Sequence, residues 1–103
     1  ERGFLIKALF DNDSKKIDRS IKDLKIYDVR HLVHVCKKEK IDIGIITVSV
    51  YHAQKVAELL AGADVKAVLN FAPTRINLPS RIKVRNVDLT IELENISFYL
   101  ANQ

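Results

Sequence analysis

The chain has 103 residues, of which 48% are hydrophobic and 29% are charged, and its formal net charge is +4. This length allows one modest core, and the composition is typical of a globular domain rather than a disordered segment. No apolar run reaches the roughly 18 residues that a membrane span requires. The only cysteine, Cys36, excludes an internal disulfide within these residues, and we therefore expect a cytoplasmic protein in a reducing compartment.

The first part of the chain reads as strand, turn, strand and helix. The run FLIKALF (4–10) ends at Asp11, and its continuous apolar character predicts a strand covered on both faces. KIY (25–27) predicts a brief second strand. Asp28 is a plausible N-cap for a helix, whose apolar residues recur at the helical spacing i, i+3, i+4 and i+7: Val29, Leu32, Val33 and Cys36.

The middle of the chain repeats this order with clearer signals. IDIGIITV (41–48) predicts a buried strand, and the following helix begins at Ser49, a candidate N-cap, and ends at Gly62, where a C-cap glycine belongs. VKAVL (65–69) and RIKV (81–84) predict two further strands. Strands that alternate with helices of about a dozen residues indicate βαβ units, so we predict an α/β fold with a parallel, doubly wound, Rossmann-like sheet.

The segment NFAPTRINLP (70–79) contains both prolines of the chain. Pro73 fixes its own φ and disfavours the helical region for Ala72, so no helix can begin directly after the preceding strand. We therefore expect Asn70 and Phe71 to form an extended lip at the end of that strand.

The last helix, predicted over residues 87–100, has apolar residues on two opposite sides. At about 100° per residue, one stripe contains Leu89, Leu93, Ile96 and Leu100, and the other contains Val87, Ile91 and Phe98. A helix that lies on one sheet needs a single apolar stripe. Two stripes predict a helix held between two bodies, most simply the subunits of a homodimer, and the alternative is a helix wedged into a groove of its own domain.

Ligands of doubly wound sheets bind beyond the carboxyl ends of the strands. Three strand ends carry candidate residues, and these are Asp11, then Thr47, Val48 and Ser49, then Asn70, Phe71, Ala72 and Pro73. An acidic residue at the first position suits the ribose hydroxyls of a dinucleotide, and a turn into a helix N-terminus suits a polar or anionic ligand. The Gly-rich loop of dinucleotide sites is absent, because the chain has only three glycines. Either the sheet binds no dinucleotide, or the chain is a fragment without its first strand and that loop.

The sequence gives little support for a metal site or for a catalytic site. His31, His34 and Cys36 lie close together, but Cys36 belongs to an apolar stripe and a fourth ligand is not evident, so we expect no metal site. The sequence pattern identifies no Ser/His/Asp or Cys/His arrangement for nucleophilic catalysis. We therefore expect no catalytic residues.

Four stretches together resemble the coenzyme-binding domain of the Rex family, redox-sensing transcriptional repressors that read the NADH/NAD balance. They are ALFDND (8–13), IDIGIITVSVYHAQKVAELL (41–60), VLNFAPTRINLP (68–79) and VRNVDLTIELENISFYL (84–100). LNFAP followed at this spacing by NVDL is the most specific feature. The resemblance covers nearly all of the chain.

The resemblance implies roles for the candidate residues. Asp11 would hold the adenine ribose of NADH or NAD, residues 47–49 would line the diphosphate and nicotinamide-ribose region, and residues 70–73 would border the nicotinamide. In the family a terminal helix swaps across the dimer and brings a phenylalanine near the partner's nicotinamide, and Phe98 is the candidate here. Asp88 matches an aspartate that takes part in a hydrogen-bonded switch between the DNA-binding domain and the partner subunit.

The implied organisation is a partial NAD(H)-binding domain over residues 1–86 and a swapped dimerisation helix over residues 87–103. The switch and dimer residues would be Asp88, Leu89, Ile91, Leu93, Ile96 and Leu100. Operator DNA would be bound by an N-terminal winged helix that lies outside this chain, and NADH would release the repressor from that DNA.

This sequence departs from the family pattern at Ser49, where a proline is usual, and at Asp64 and Ala67, where glycines are expected. Without the Gly-rich loop, the fragment itself should bind NADH weakly. The rival class is enzymatic, either a Rossmann-type dehydrogenase or a CoA-binding enzyme fragment, but NFAP offers no acid/base residue for a dehydrogenase. A third alternative is a dimerisation module whose cleft has no ligand.

Overall fold

The computed structural model describes residues 3–102, and strands and helices alternate along them. The strands are β1 (Leu9–Asp11), β2 (Ser20–Ile21), β3 (Leu24–Asp28), β4 (Ile43–Ile46), β5 (Ala67–Asn70) and β6 (Lys83–Asn86). A 3-10 turn spans Val29–His31, and the α-helices are α1 (Leu32–Lys38), α2 (Val50–Gly62) and α3 (Leu89–Ala101). Among residues 3–102, no helix combines the length and the apolar character needed to cross a bilayer.

The strands form two three-stranded sheets. In one sheet β4, β5 and β6 are parallel and in register, so that Ile46, Asn70 and Asn86 lie side by side at the carboxyl edge. In the other, β1 is parallel to β3, and β2 is antiparallel to β3. The predicted α/β class with a parallel Rossmann-like sheet is confirmed. Within the described residues no strand pair joins the two sheets.

One core packs α2 against a single face of the β4–β5–β6 sheet, and α1 packs against α2. Its fully or almost fully buried side chains include Leu32, Cys36, Ile46, Ala53, Ala57, Leu60 and Val68. Gly44 allows α2 to approach the sheet closely, because a Cβ at this position would lie 2.6 Å from Leu60 Cδ1. Such close packing is the main source of stability in a domain of this size.

The first predicted strand is much shorter than its apolar run. The structure has a strand only over β1, where residues Leu9 to Asp11 pair with Ile26 to Asp28 of β3, and Phe4, Leu5 and Ile6 are exposed. The prediction of a strand over 4–10 covered on both faces is therefore wrong. Backbone groups form a strand only where a neighbouring strand pairs with them, and no described element covers residues 3–8.

Strand β4 is buried on one face only. Gly44 and Ile46 face α2 and are buried, whereas Ile43 and Ile45 are 47% and 61% exposed. The prediction of a strand here is confirmed, but the prediction that it is buried on both faces is wrong. A fully apolar strand shows that both faces are suited to burial, and the described residues supply a cover for just one.

The predicted helix boundaries are partly confirmed. Asp28 is an N-cap, since its Oδ1 accepts a hydrogen bond of 2.9 Å from Arg30 N, but it caps the 3-10 turn, and α1 begins only at Leu32. Gly62 is the last residue of α2 rather than its left-handed C-cap. The chain instead turns at Asp64, whose φ is 64°, because aspartate tolerates the left-handed region better than most residues do.

Helix α3 stands apart from the rest of the chain. It is capped by Asp88, and every residue from Leu89 to Ala101 is exposed. The alternative in which this helix is wedged into a groove of its own domain is therefore not what the structure shows. The helix begins at Leu89 and not at Val87, which precedes it and is half-buried; the other residues of its two apolar stripes are exposed on the surface of the single chain.

Candidate functional site

The carboxyl edge of the β4–β5–β6 sheet forms a rim where two of the predicted segments meet. Residues 47–49 leave β4, and residues 71–73 leave β5, directly beside each other because the two strands are paired in register. Phe71 N donates a hydrogen bond of 2.9 Å to Ile46 O, which ties the second segment to the first. The structure therefore brings these candidate residues together at the edge where parallel sheets bind ligands.

On the β4 side the rim is open to solvent and leads into a helix. Thr47, Val48 and Ser49 are all exposed. Ser49 occupies the predicted N-cap position of α2 with an extended backbone, although its side chain makes no capping hydrogen bond. The first N–H groups of a 13-residue helix therefore lie beside two hydroxyl side chains. Such a helix start favours phosphate or another anion.

On the β5 side the candidate residues divide between the interior and the surface. Asn70 is completely buried, and Ala72 is almost completely buried. Phe71 is half-buried and Pro73 is exposed. Of the four predicted residues, Phe71 and Pro73 therefore form the surface that a ligand can touch, while Asn70 and Ala72 determine the shape beneath it.

A hydrogen-bonded cluster inside the loop pairs both ends of the Asn70 side chain, so burial of this residue leaves no polar atom without a partner. Its Nδ2 donates to Thr74 O at 2.7 Å and to Asn86 Oδ1 at 3.0 Å, and its Oδ1 accepts from Ala72 N at 3.0 Å. Buried amides are tolerated when both ends of the side chain are paired in this way. Asn86 was not predicted, although an asparagine at the end of β6 repeats the signal of Asn70 at the end of β5.

The same loop is held from outside by α2. Gln54 Nε2 donates to Asn77 O, and Asn77 N donates to Gln54 Oε1, each at 2.9 Å. Ile76, directly before Asn77, is buried in the core. The sequence carried no signal for Gln54, which reads as an ordinary polar residue of an amphipathic helix.

Asp11 belongs to the other sheet and ends β1. Its carboxylate accepts a hydrogen bond of 3.0 Å from Asp13 N and lies 3.9 Å from Lys16 Nζ. A carboxylate with these two neighbours retains acceptor capacity for ribose hydroxyls. Within residues 3–102, no hydrogen bond or ion pair joins Asp11 to the rim of the β4–β5–β6 sheet.

Asp88 is the N-cap of α3, and Phe98 lies in the last turn of this helix. Asp88 Oδ1 accepts from Thr90 N at 2.9 Å and from Ile91 N at 3.3 Å, so in the single chain it acts as an N-cap. Just before it, Val87 N donates to Asn70 O at 2.8 Å, which joins the start of α3 to the rim. Phe98 is 72% exposed and lies roughly 15 Å farther along the helix axis.

Cys36 is a core residue, as its place in the apolar stripe predicts. It is almost fully buried among Leu32 and the side chains of α2, and this burial raises the pKa of its thiol. A thiol kept protonated in the core is a poor metal ligand and a poor nucleophile.

Comparison with known proteins places this site in a family. Residues 1–74 match the family model of the CoA binding domain, which includes β1, β4, β5 and the rim as far as Pro73. The chain belongs to this family. The match is consistent with the observed Rossmann-like arrangement of parallel strands and helices.

Individual relatives carry a more specific name. The chain is 44% identical over 103 residues to the redox-sensing transcriptional repressor Rex of Desulfitobacterium hafniense, covering 100% of this chain and 49% of that protein. It is 45% identical over 98 residues to the Rex repressor of Carboxydothermus hydrogenoformans, covering 95% of this chain and 47% of that protein. The chain thus spans about half the length of these relatives.

Solved structures agree with the sequence comparison. The crystal structure of RSP, a Rex-family repressor, superposes with a TM-score of 0.88 at 32% identity, covering 97% of this chain and 48% of that one. RSP in complex with β-NADH gives a TM-score of 0.87, and RSP with β-NAD+ and operator DNA gives 0.86, both also at 32% identity. The predicted resemblance to Rex repressors is confirmed.

Proposed function

We propose that this chain is the coenzyme-binding and dimerisation part of a redox-sensing transcriptional repressor, in which NADH binding releases the protein from operator DNA. The observation that carries the proposal is the match to Rex repressors along the full length of the chain, at 44% identity. Neighbouring structures hold β-NADH or β-NAD+ with operator DNA, which supports the same coenzyme pair as the ligand here.

The rim fits a dinucleotide in its chemistry. The start of α2 and the hydroxyls of Thr47 and Ser49, with Val48 between them, would receive the diphosphate and nicotinamide ribose, because these groups are exposed and include N–H donors. Phe71 and Pro73 would form the wall beside the nicotinamide, and Asp11 would accept hydrogen bonds from the adenine ribose. The coenzyme is a signal in this scheme, and no bond in it is made or broken.

Helix α3 would be covered by a second copy of the chain. Its apolar residues are exposed on two opposite sides of the helix, and contact of such residues with water is unfavourable unless another surface covers them. We therefore assign Leu89, Ile91, Leu93, Ile96 and Leu100 to a swapped homodimer, with Phe98 near the partner's coenzyme and Asp88 at the switch between domains.

The DNA-binding part would be a winged helix outside residues 1–103, and the repressor would work in the cytoplasm, where bacterial operators are. NADH would favour a closed dimer and NAD an open dimer that can bind DNA. A ligand shifts such an equilibrium only through its different affinity for the two states. In this chain the rim and the start of α3 are neighbours through the Val87 N–Asn70 O hydrogen bond.

The second candidate is a CoA-binding enzyme fragment, which the match of residues 1–74 to the CoA binding domain favours. Titration of the intact protein with NADH, NAD and CoA, followed by calorimetry, separates the two. We expect NADH to bind most tightly, NAD to compete for the same site, and CoA not to compete. Binding of CoA without binding of NADH would contradict the proposed repressor.

A pair of variants tests the coenzyme position in the same titration. Asp11→Ala should raise the dissociation constant for NADH roughly tenfold, since it removes a charge-assisted hydrogen bond. Asp42→Ala is the matched control, because Asp42 is an exposed carboxylate that precedes β4 at the opposite edge of the sheet. Equal effects of the two variants would remove the role of Asp11.

A further inference from the structure

Asn86 is an exposed residue whose side-chain oxygen reaches the buried amide of Asn70. It ends β6 and pairs in register with Asn70 at the end of β5. Its Oδ1 accepts two hydrogen bonds, from Asn70 Nδ2 at 3.0 Å and from Ile76 N at 3.4 Å. One oxygen atom therefore holds both the buried amide and the far end of the loop that forms the rim.

The loop needs these bonds because it enters the core. Ala72 and Ile76 are buried, so the backbone groups around them lose contact with water and must be paired inside the protein. Asn70 pairs the first part through Ala72 N, Ala72 O and Thr74 O, and Asn86 pairs Ile76 N. Without Asn86 Oδ1, the Ile76 amide would lose its partner, and the two N–H groups of Asn70 would keep only Ala72 O and Thr74 O as acceptors.

We propose that Asn86 is a positioning residue, which fixes residues 71–76 in the shape that the coenzyme meets and ties that shape to the start of α3. The second part follows from the chain itself, because Asn86 is followed by Val87, whose N–H bonds to Asn70 O, and by Asp88, which caps α3. The inference rests on the proposed function only for the identity of the ligand.

The two asparagines act through different atoms, so the same substitution should have opposite effects. Asn86 uses only its acceptor in these contacts, and a carboxylate keeps that acceptor. Asn70 uses Nδ2 toward three oxygens, those of Ala72, Thr74 and Asn86. Asn70→Asp would place a buried carboxylate against these oxygens, which is strongly unfavourable until the carboxyl is protonated.

Amide hydrogen exchange of the intact protein, with and without NADH, tests the proposal. Asn86→Leu matches the shape of asparagine but has no acceptor, and it should lower the protection factors of Ala72 and Ile76 roughly tenfold while leaving Val68 of β5 unchanged. It should also raise the dissociation constant for NADH roughly tenfold. Asn86→Asp should stay within about twofold of the wild type in both readouts.

Asn70→Asp supplies the pH readout. It should behave like Asn86→Leu at neutral pH and regain protection at Ala72 and Ile76 as the pH falls toward about 5, because protonation of the buried carboxyl restores a donor. Asn86→Ala serves as a second acceptor-free variant should Asn86→Leu fail to fold. It is expected to fold because Asn86 is exposed as a whole residue.

Three results would overturn the proposal. They are unchanged protection of Ile76 in both acceptor-free variants, equal losses in Asn86→Leu and Asn86→Asp, and a loss of protection that includes Val68 and so reflects general destabilisation. If the wild type does not bind NADH, the proposed function fails, but the protection pattern still decides whether Asn86 holds the loop.

Discussion

Helices α2 and α3 each contain 13 residues, but only α2 packs against its own chain. Ala53, Ala57, Leu60 and Ala61 of α2 are buried, whereas α3 has no buried residue. The reason is the distribution of their apolar residues. In α2 they form one face and the other face is polar, while in α3 they occupy two opposite sides.

The comparison shows that an apolar pattern indicates which residues can be buried but does not indicate which element covers them. The face of β4 that carries Ile43 and Ile45 teaches the same lesson, since it is as apolar as the face beneath α2 and is exposed. Uncovered apolar surfaces on a single chain are typical of proteins that associate with another body. We therefore expect changes in α2 to alter folding and changes in α3 to alter association.

The largest expected effect is on folding, from a change in α2. Leu60→Ala should lower the free energy of unfolding by about 2–5 kcal/mol, because it leaves a cavity between α2 and Gly44. Leu93→Ala is the matched change in α3 and should cost no more than about 0.5 kcal/mol in the monomer, since Leu93 is 63% exposed. Urea denaturation at low protein concentration measures both. Equal losses would break the distinction between the helices.

Close packing beneath α2 gives the next effect. Gly44→Ala should cost about 1–3 kcal/mol by overpacking, since the added Cβ would lie 2.6 Å from Leu60 Cδ1. In the Leu60→Ala background the same change should cost far less, because the clashing atoms are gone. Strict additivity of the two losses in urea denaturation would show that Leu60 is not what limits the space at Gly44.

Association is expected to depend on α3. Leu93→Asp places a charge in one apolar stripe, and Phe98→Ala removes the largest side chain of the other, so each should raise the dimer dissociation constant roughly tenfold or more. Light scattering over a range of concentrations measures this. Asn95→Asp is the control, because it adds the same charge on a polar flank of the helix. A wild type that is monomeric throughout would contradict the assignment of α3 to a dimer.

The smallest effect concerns the start of α3. Asp88→Ala removes the acceptor for Thr90 N and Ile91 N and should cost about 1 kcal/mol of helix stability, visible as lost helical circular dichroism at 222 nm in the monomer. Asp88→Ser keeps an acceptor and should lose less. Identical spectra for the wild type and Asp88→Ala would mean that α3 does not depend on its cap.

Much of this arrangement could be predicted from the sequence. The order of the main strands and helices, the start of α2 after Ser49, and the rim formed by residues 47–49 and 70–73 follow from periodicity and from the geometry of parallel sheets. The errors at residues 4–8 and on the outer face of β4 have a common cause. Burial of a strand face depends on which element packs against it, and a local apolar run does not specify that element.

Other features depend on contacts between residues far apart in sequence. The bond between Asn70 and Asn86 joins residues 16 positions apart, and Gln54 reaches Asn77 across 23 positions. Neither pair leaves a periodic signal. Gly62 shows the opposite case, because its local signal predicts a left-handed C-cap. In the structure Gly62 is the last residue of α2, and the left-handed turn lies at Asp64.

The most direct measurement is the affinity of the intact protein for operator DNA with saturating NADH and with saturating NAD, using an operator that the protein itself selects from random DNA. We expect NAD to permit tight binding and NADH to weaken it by about tenfold or more, within the usual range of allosteric coupling. The weakening should be lost when Leu93→Asp prevents dimerisation. Equal affinity for the operator with either coenzyme would contradict a repressor that reads the NADH/NAD balance.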